Sequence, residues 1–182
     1  MILEAVAIGT GLSMDALAVS LASGAAGRKD FTASKILLTA FFFGFFQTAM
    51  PMAGWSGGIA VGNFVQSFGR IIAGLLLIGI GIKMLFDKTD DGITAKSGLI
   101  PLLFLSFATS VDAFVVGVSF AFEKTGMHTA LTESCVIGTV TFIISACGCI
   151  IGRFFGNIWG NRCSILGGFV LVGIGVKTFF NM

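Results

Sequence analysis

The chain passes through six apolar stretches, each close to the ~20 residues that an α-helix needs to cross a bilayer, and this leaves few folds open. They run over Ile2–Gly24, Lys35–Gly58, Gly69–Phe86, Leu99–Phe122, Ala130–Gly152 and Ser164–Phe180. The runs are continuous. A membrane β-barrel would instead show segments of about ten residues with alternating polarity. The first stretch reads as a span and not as a cleavable leader, because Met1-Ile2-Leu3-Glu4 carries no basic segment and Asp15 interrupts the apolar run. Of 182 residues 55% are hydrophobic and 11% charged, where a soluble domain carries roughly a quarter charged. Disorder is excluded by that balance. Four Cys are too sparse for a disulfide scaffold. The eleven Lys and Arg are scattered, so no basic stripe marks a nucleic-acid partner. The expected fold is all-α: a single polytopic membrane domain over residues 1–182, with six transmembrane helices and lipid as its surroundings.

An internal repeat organises those helices. Gly11-Leu12-Ser13-Met14-Asp15-Ala16 in the first span matches Ala108-Thr109-Ser110-Val111-Asp112-Ala113 in the fourth, at an offset of 97. The second and fifth spans match at an offset of 94, pairing Gly44 with Gly138, Gly54 with Gly148, Gly58 with Gly152 and Gly62 with Gly156. Ile78-Gly79-Ile80-Gly81-Ile82-Lys83 and Val172-Gly173-Ile174-Gly175-Val176-Lys177 pair the third and sixth at the same offset. Three spans per unit is an odd number, so the copies (about 1–86 and 99–182) cross the bilayer in opposite directions. Inverted repeats of this kind underlie alternating access in many secondary transporters. The polar segment 87–98 joins them. Arg28, Lys29, Lys35, Lys83, Lys88, Lys96, Arg153 and Arg162 fall on one side, against Arg70, Lys124 and Lys177 on the other. The positive-inside rule therefore puts both termini outside.

Asp15 and Asp112 each lie near the middle of a span. A carboxylate at the bilayer centre costs about 2.5–3.5 kcal/mol even on the insertion scale, and no Lys or Arg shares that depth. Protonation or a bound cation can settle the charge; a neutral Asp hydrogen-bonded between helices is the structural alternative. Gln47 lies at the same depth in the second span, four residues before Pro51. Proline has no N–H, so the Gln47 carbonyl loses its helical partner and must find a donor or an ion. Its repeat mate is Thr141, and the mate of Pro51 is Ser145. A pseudo-two-fold axis would gather Asp15, Asp112, Gln47 and Thr141, with Ser13 and Ser110 beside the acids. These donors are all oxygens, which suit hard divalent ions such as Mg²⁺, Ca²⁺ and Mn²⁺. The residues themselves lead to a transporter of a hard divalent cation.

The paired Ser13-x-Asp15-Ala16 and Ser110-x-Asp112-Ala113, with Phe43-Gly44-x-x-Gln47-x-x-Met50-Pro51-x-x-Gly54-Trp55 and Ile165-Leu166-Gly167-Gly168, resemble the MntP family of bacterial manganese efflux pumps. The likeness covers essentially the whole chain. It implies export of Mn²⁺ across the cytoplasmic (inner) membrane, with Asp15 and Asp112 binding the ion as transported substrate, no cofactor, and no enzymatic activity. Gln47 stands where a Glu can occur in the family, and Ser164 where an acid often precedes Ile-Leu-Gly-Gly. Proton coupling is also expected, since two facing carboxylates do not both ionise cheaply without metal, and metal ligands bind deprotonated. The sequence contains no Walker motif for ATP.

Other features read as structural. Cys147 and Cys149, two apart on a helix, point in nearly opposite directions, which weighs against the alternative of a membrane thiol oxidoreductase; Cys135 and Cys163 read as packing. An exporter of small organic solutes on the same repeat would need a cationic anchor that the midplane lacks. His128 is expected in an outer loop, and Asp87, Asp90 and Asp91 in a solvated connector. Gly54, Gly58 and Gly62, with Gly148, Gly152, Gly156 and Gly160, recur every four residues and are expected to let the second and fifth helices cross closely. Gly11 and Ala108 should do the same for the first and fourth. Oligomeric state is not legible in these patterns.

Overall fold

The computed structural model describes residues 2–27, 31–86, 99–123, 125–159 and 172, 173 and 176, without side chains for most of 58–86 and for 156–159. Every regular element among them is helical: α1 (Ile2–Gly27), α2 (Ala33–Phe86), α3 (Leu99–Thr109), α4 (Val111–Phe122) and α5 (Met127–Trp159). Ile2–Ala25, Ala33–Gly57 and Met127–Phe155 are each long and apolar enough to cross a membrane. The pair α3–α4 bends by 41° at its break and supplies a fourth candidate span. The sixth expected span, Ser164–Phe180, and the connector with its aspartates lie almost wholly outside the described residues, as does Cys163.

Packing is by pairs. α1 lies along α5, while α2 lies against α3, α4 and α5. Ala16, Val19 and Ala22 of α1 share a buried cluster with Phe43 of α2 and Leu102 and Leu105 of α3. A second cluster joins Phe120 of α4 to Ala130 and Ile137 of α5, with Leu12, Met52 and Trp55 packed against it. α1 ends where Gly27 leaves room for the Phe31 ring, whose atoms would meet any β-carbon there. Phe31 is fully buried in a cluster with Cys149, and this fastens the turn into α2.

Four expectations need correction. The turn sought between the second and third spans is helical, because α2 continues unbroken to Phe86. Its residues 59–68 contain no proline and no cluster of turn formers, so no backbone N–H is lost and the ladder continues. At 1.5 Å per residue α2 is about 81 Å long, far beyond a ~30 Å hydrocarbon core. The described glycines of the four-residue ladders, Gly54, Gly148 and Gly152, do not bring the second and fifth spans together. A β-carbon on Gly54 would collide with the Phe114 carbonyl of α4; one on Gly148 would lie 3.2 Å from the Leu17 carbonyl of α1, and one on Gly152 would strike the Leu21 carbonyl. α2 and α5 meet instead at Gly44 and Gly138, where a β-carbon on either glycine would come within 2.9 Å and 2.7 Å of the other's carbonyl oxygen. Gly11 is exposed with nothing near it, so it does not mediate an approach of α1 and α4. Small residues permit close contact, but which face is used depends on the partner's shape. His128 belongs to the first turn of α5 and not to a loop, since that helix begins at Met127; its carbonyl accepts the Thr132 hydroxyl at 2.8 Å.

Candidate functional site

The two motif aspartates come from elements of different construction. Asp15 sits inside the continuous helix α1 and is half-buried. Asp112 is the second residue of α4, just past the break at Ser110, and is exposed. The break changes what surrounds it. A helix start presents N–H groups with no partner in its own ladder, and the Asp112 Oδ1 accepts the Ala113 N–H at 2.8 Å. The two carboxylates lie within Coulombic range of one another.

Gln47 reaches this place from α2. It is fully buried, and its Nε2 donates to the Leu12 carbonyl at 3.4 Å, one turn before Asp15. Its Oε1 is buried without a hydrogen-bond partner. Since Pro51 lies inside α2 and is buried, the Gln47 backbone carbonyl also has no amide four residues on. Ser110, at the break, is likewise fully buried, and its hydroxyl has no partner. Its backbone N–H donates to the Phe107 carbonyl at 3.1 Å, so the chain turns there without side-chain capping. Ser13 and Thr141 are fully buried. They donate to carbonyls of their own helices, Ser13 to Thr10 at 3.1 Å and Thr141 to Ile137 at 3.0 Å. Ile137, one turn before Thr141, is in the cluster against which Leu12 packs.

The structure therefore sets the aspartates within Coulombic range of one another and places Gln47 against the turn that leads to Asp15. The Gln47 Oε1 and the hydroxyl of Ser110, two residues before Asp112, are buried without hydrogen-bond partners. The described residues contain no cluster of three or more His, Cys, Asp or Glu. What such a set can do is hold a hard cation with two carboxylates and neutral oxygens. Cys147 is exposed and Cys149 buried on α5, so the two thiols face different surroundings, as their spacing requires. The break at Ser110 was not legible: Ser110-Val111-Asp112 has the composition of a helix start, but Ser13-Met14-Asp15 has it too and stays helical. The unpartnered hydroxyls of Ser20 and Ser145 were missed as well.

Comparison with known proteins finds relatives along nearly the whole chain. The chain is 44% identical over 173 residues to the "Putative manganese efflux pump MntP" of Methanosarcina mazei, covering 93% of this chain and 91% of that one. It is 39% identical over 179 residues to a protein of the same name in Methanobrevibacter smithii, with 97% and 95% covered. It is 38% identical over 192 residues to the "Putative manganese efflux pump MntP 2" of Clostridium botulinum strain Langeland, with 98% and 94% covered. No solved structure matches. The family model described as "Putative manganese efflux pump" matches residues 30–179, and with relatives of this identity along nearly its whole length the chain belongs to the MntP family.

Proposed function

We propose that this multi-pass membrane protein exports Mn²⁺ from the cell, with manganese as transported substrate and not as cofactor. The observation that carries the reading is the proximity of Asp15 and Asp112, contributed by equivalent motifs on different helices. Two carboxylates balance the charge of a divalent ion. Gln47 Oε1 and the Ser110 hydroxyl, buried and without partners, are the neutral oxygens offered to the ion in this reading, with Ser13 and Thr141 as further candidates. Family membership supplies the metal: the relatives are named for manganese efflux.

Alternating access is proposed to rest on two inverted repeats, each of three spans, with α2, continuous here, supplying the second and third spans on either side of residues 59–68. In support, Gly44 and Gly138 are repeat mates and touch one another reciprocally. The contacts of Gly54 with Phe114 and of Gly148 with Leu17 are likewise mates, at the offsets of 94 and 97. A two-fold axis produces such pairs. The charge bias of the loops places both termini outside. Proton antiport is proposed as the driving reaction: the metal-free pair keeps a proton, which Mn²⁺ displaces on the cytoplasmic side.

The test is intracellular manganese, read by mass spectrometry after a Mn²⁺ challenge, in cells lacking and regaining the chain. Asp15→Asn and Asp112→Asn are each expected to abolish the fall in cell manganese while membrane levels of the protein stay normal. Full export by either well-expressed variant refutes that residue's part in the site.

A further inference from the structure

Among the described residues, and apart from Gln47 and Ser110, two hydroxyls are fully buried and bond no backbone carbonyl: Ser20 of α1, which has only the Cys149 thiol beside it, and Ser145 of α5. Buried hydroxyls elsewhere in the bundle donate one turn back. Ser106 bonds the Leu102 carbonyl at 2.8 Å and Ser134 the Ala130 carbonyl at 2.7 Å. Ser20 instead faces the Cys149 thiol across the α1–α5 seam, and a β-carbon on Gly148 would lie 3.1 Å from the Ser20 Cβ. Ser145 lies one turn before Cys149, which is itself fully buried. A hydroxyl left without a carbonyl partner is destabilising, and in a bilayer no solvent relieves it.

The equivalent seam of the other repeat carries no such groups. At the offsets of 97 and 94, Ser20 corresponds to Gly117, Ser145 to Pro51 and Cys149 to Trp55. Gly117 and Pro51 meet backbone to backbone, leaving no room for a β-carbon. Trp55 is satisfied, its Nε1 donating to the Thr125 carbonyl at 2.9 Å. The α2–α4 seam at Gly117, Pro51 and Trp55 is thus backbone contact and a satisfied indole, whereas the α1–α5 seam buries two hydroxyls that bond no backbone carbonyl. What shuts the second seam here is backbone contact, Gly24 against the Cys149 carbonyl and Gly152 against the Leu21 carbonyl.

We propose that the α1–α5 seam parts to form the water-filled passage by which the hydrated divalent cation reaches Asp15 and Asp112 from the cytoplasm, lined by Ser20, Ser145 and Cys149. The passage begins where α1 ends at Gly27 and Arg153 packs beside Gly24, the end that the loop charges place inside. Hydration of Ser20 and Ser145 offsets the loss of the glycine contacts when it opens. The assignment rests on the transport reading above.

Cys149 is a native reporter. Cys135, Cys147 and Cys163 are replaced by Ser, and inside-out membrane vesicles are treated with a charged, membrane-impermeant methanethiosulfonate, with and without Mn²⁺. The expected result is loss of the free Cys149 thiol from the cytoplasmic face at a rate that Mn²⁺ alters. In a Cys-free chain, Ser145→Cys is expected to react from the same face. Ser34→Cys, exposed at the start of α2, marks that face, and Ile143→Cys, exposed on the flank of α5, is expected to stay unmodified in lipid. The proposal is overturned if Cys149 and Ser145→Cys stay unmodified, with and without Mn²⁺, while Ser34→Cys reacts. Modification from the outer face alone overturns it equally. Failure of the wild-type chain to lower cell manganese would defeat the transport reading instead, and the labelling pattern would still decide whether the seam opens.

Discussion

Two glycine-to-alanine substitutions in neighbouring helices are expected to have opposite effects, although helix propensity treats them alike. In an exposed helix interior Ala is favoured over Gly by about 0.5–1 kcal/mol. Gly11 of α1 is exposed, with nothing within 4 Å of a β-carbon built on it, so Gly11→Ala should collect that gain. Gly117 of α4 is the reverse case. Its new methyl would overlap the Pro51 carbonyl oxygen and lie 2.6 Å from the Pro51 carbonyl carbon and Cα, where ordinary contact begins at 3.4 Å. The obstacle is backbone in a helix that cannot rotate aside, so α2 and α4 must separate by more than an ångström. Overpacking of this kind costs about 1–3 kcal/mol, and the upper end applies here because no side chain can yield. The two variants should therefore differ by about 2–4 kcal/mol in stability, with wild type between them.

The assay is the thermal midpoint of the purified protein in one detergent, followed by size-exclusion chromatography after heating. Gly117→Ala should melt well below wild type and Gly11→Ala at or slightly above it. The displaced α4 also carries Asp112 away from α1, so Gly117→Ala should lose manganese export even at temperatures where it remains folded. Equal midpoints for the two variants, or a more stable Gly117→Ala, would refute the close α2–α4 contact and, with it, the placement of Asp112.

Further outcomes follow from particular contacts. Gln47→Ala should weaken manganese export less than either aspartate substitution, because the backbone carbonyl freed by Pro51 remains; dose–response to Mn²⁺ in growing cells measures it, with Thr141→Val expected to be milder still. Trp55→Phe keeps an aromatic ring but deletes the bond to the Thr125 carbonyl together with the volume of the second ring, so the melting midpoint should fall by the equivalent of at least about 1 kcal/mol, and an unchanged midpoint would remove that bond from the α2–α4 seam. In proteoliposomes at fixed membrane potential, Mn²⁺ flux should follow an imposed pH gradient, accelerating when protons run opposite to the metal. Flux indifferent to the gradient would exclude proton antiport while leaving the metal site standing.

Hydrophobic length made the helical class legible, and it located α1, the first half of α2 and α5 to within a few residues. Boundaries that depend on weak local signals were not legible. Residues 59–68 offered polar side chains but no lost amide, and the helix continues through them. Ser110 offered the same motif as Ser13, yet only Ser110 breaks its helix; the motif itself does not distinguish the two positions. The glycine ladders correctly signalled close contact and misdirected the partner, because spacing along one helix does not say which neighbour comes near.

For the site, equivalence between the repeats was the legible part and departure from equivalence was not. Asp15 and Asp112 could be paired from their motifs, and they do lie within Coulombic range. Ser20 and Ser145, by contrast, look like ordinary small residues of membrane helices in the sequence. Their unsatisfied state appears only once the neighbouring turns are in place, since a serine hydroxyl commonly bonds its own helix. The mates Gly117 and Pro51 hold no polar side-chain atom, so the two seams, alike in backbone path, differ in what they need when shut. A strictly symmetric transporter would open equally to both sides. Here the buried hydroxyls bias one seam toward water, and an exporter that must collect a scarce ion from inside and release it outside is served by an inner passage that opens more readily than the outer one.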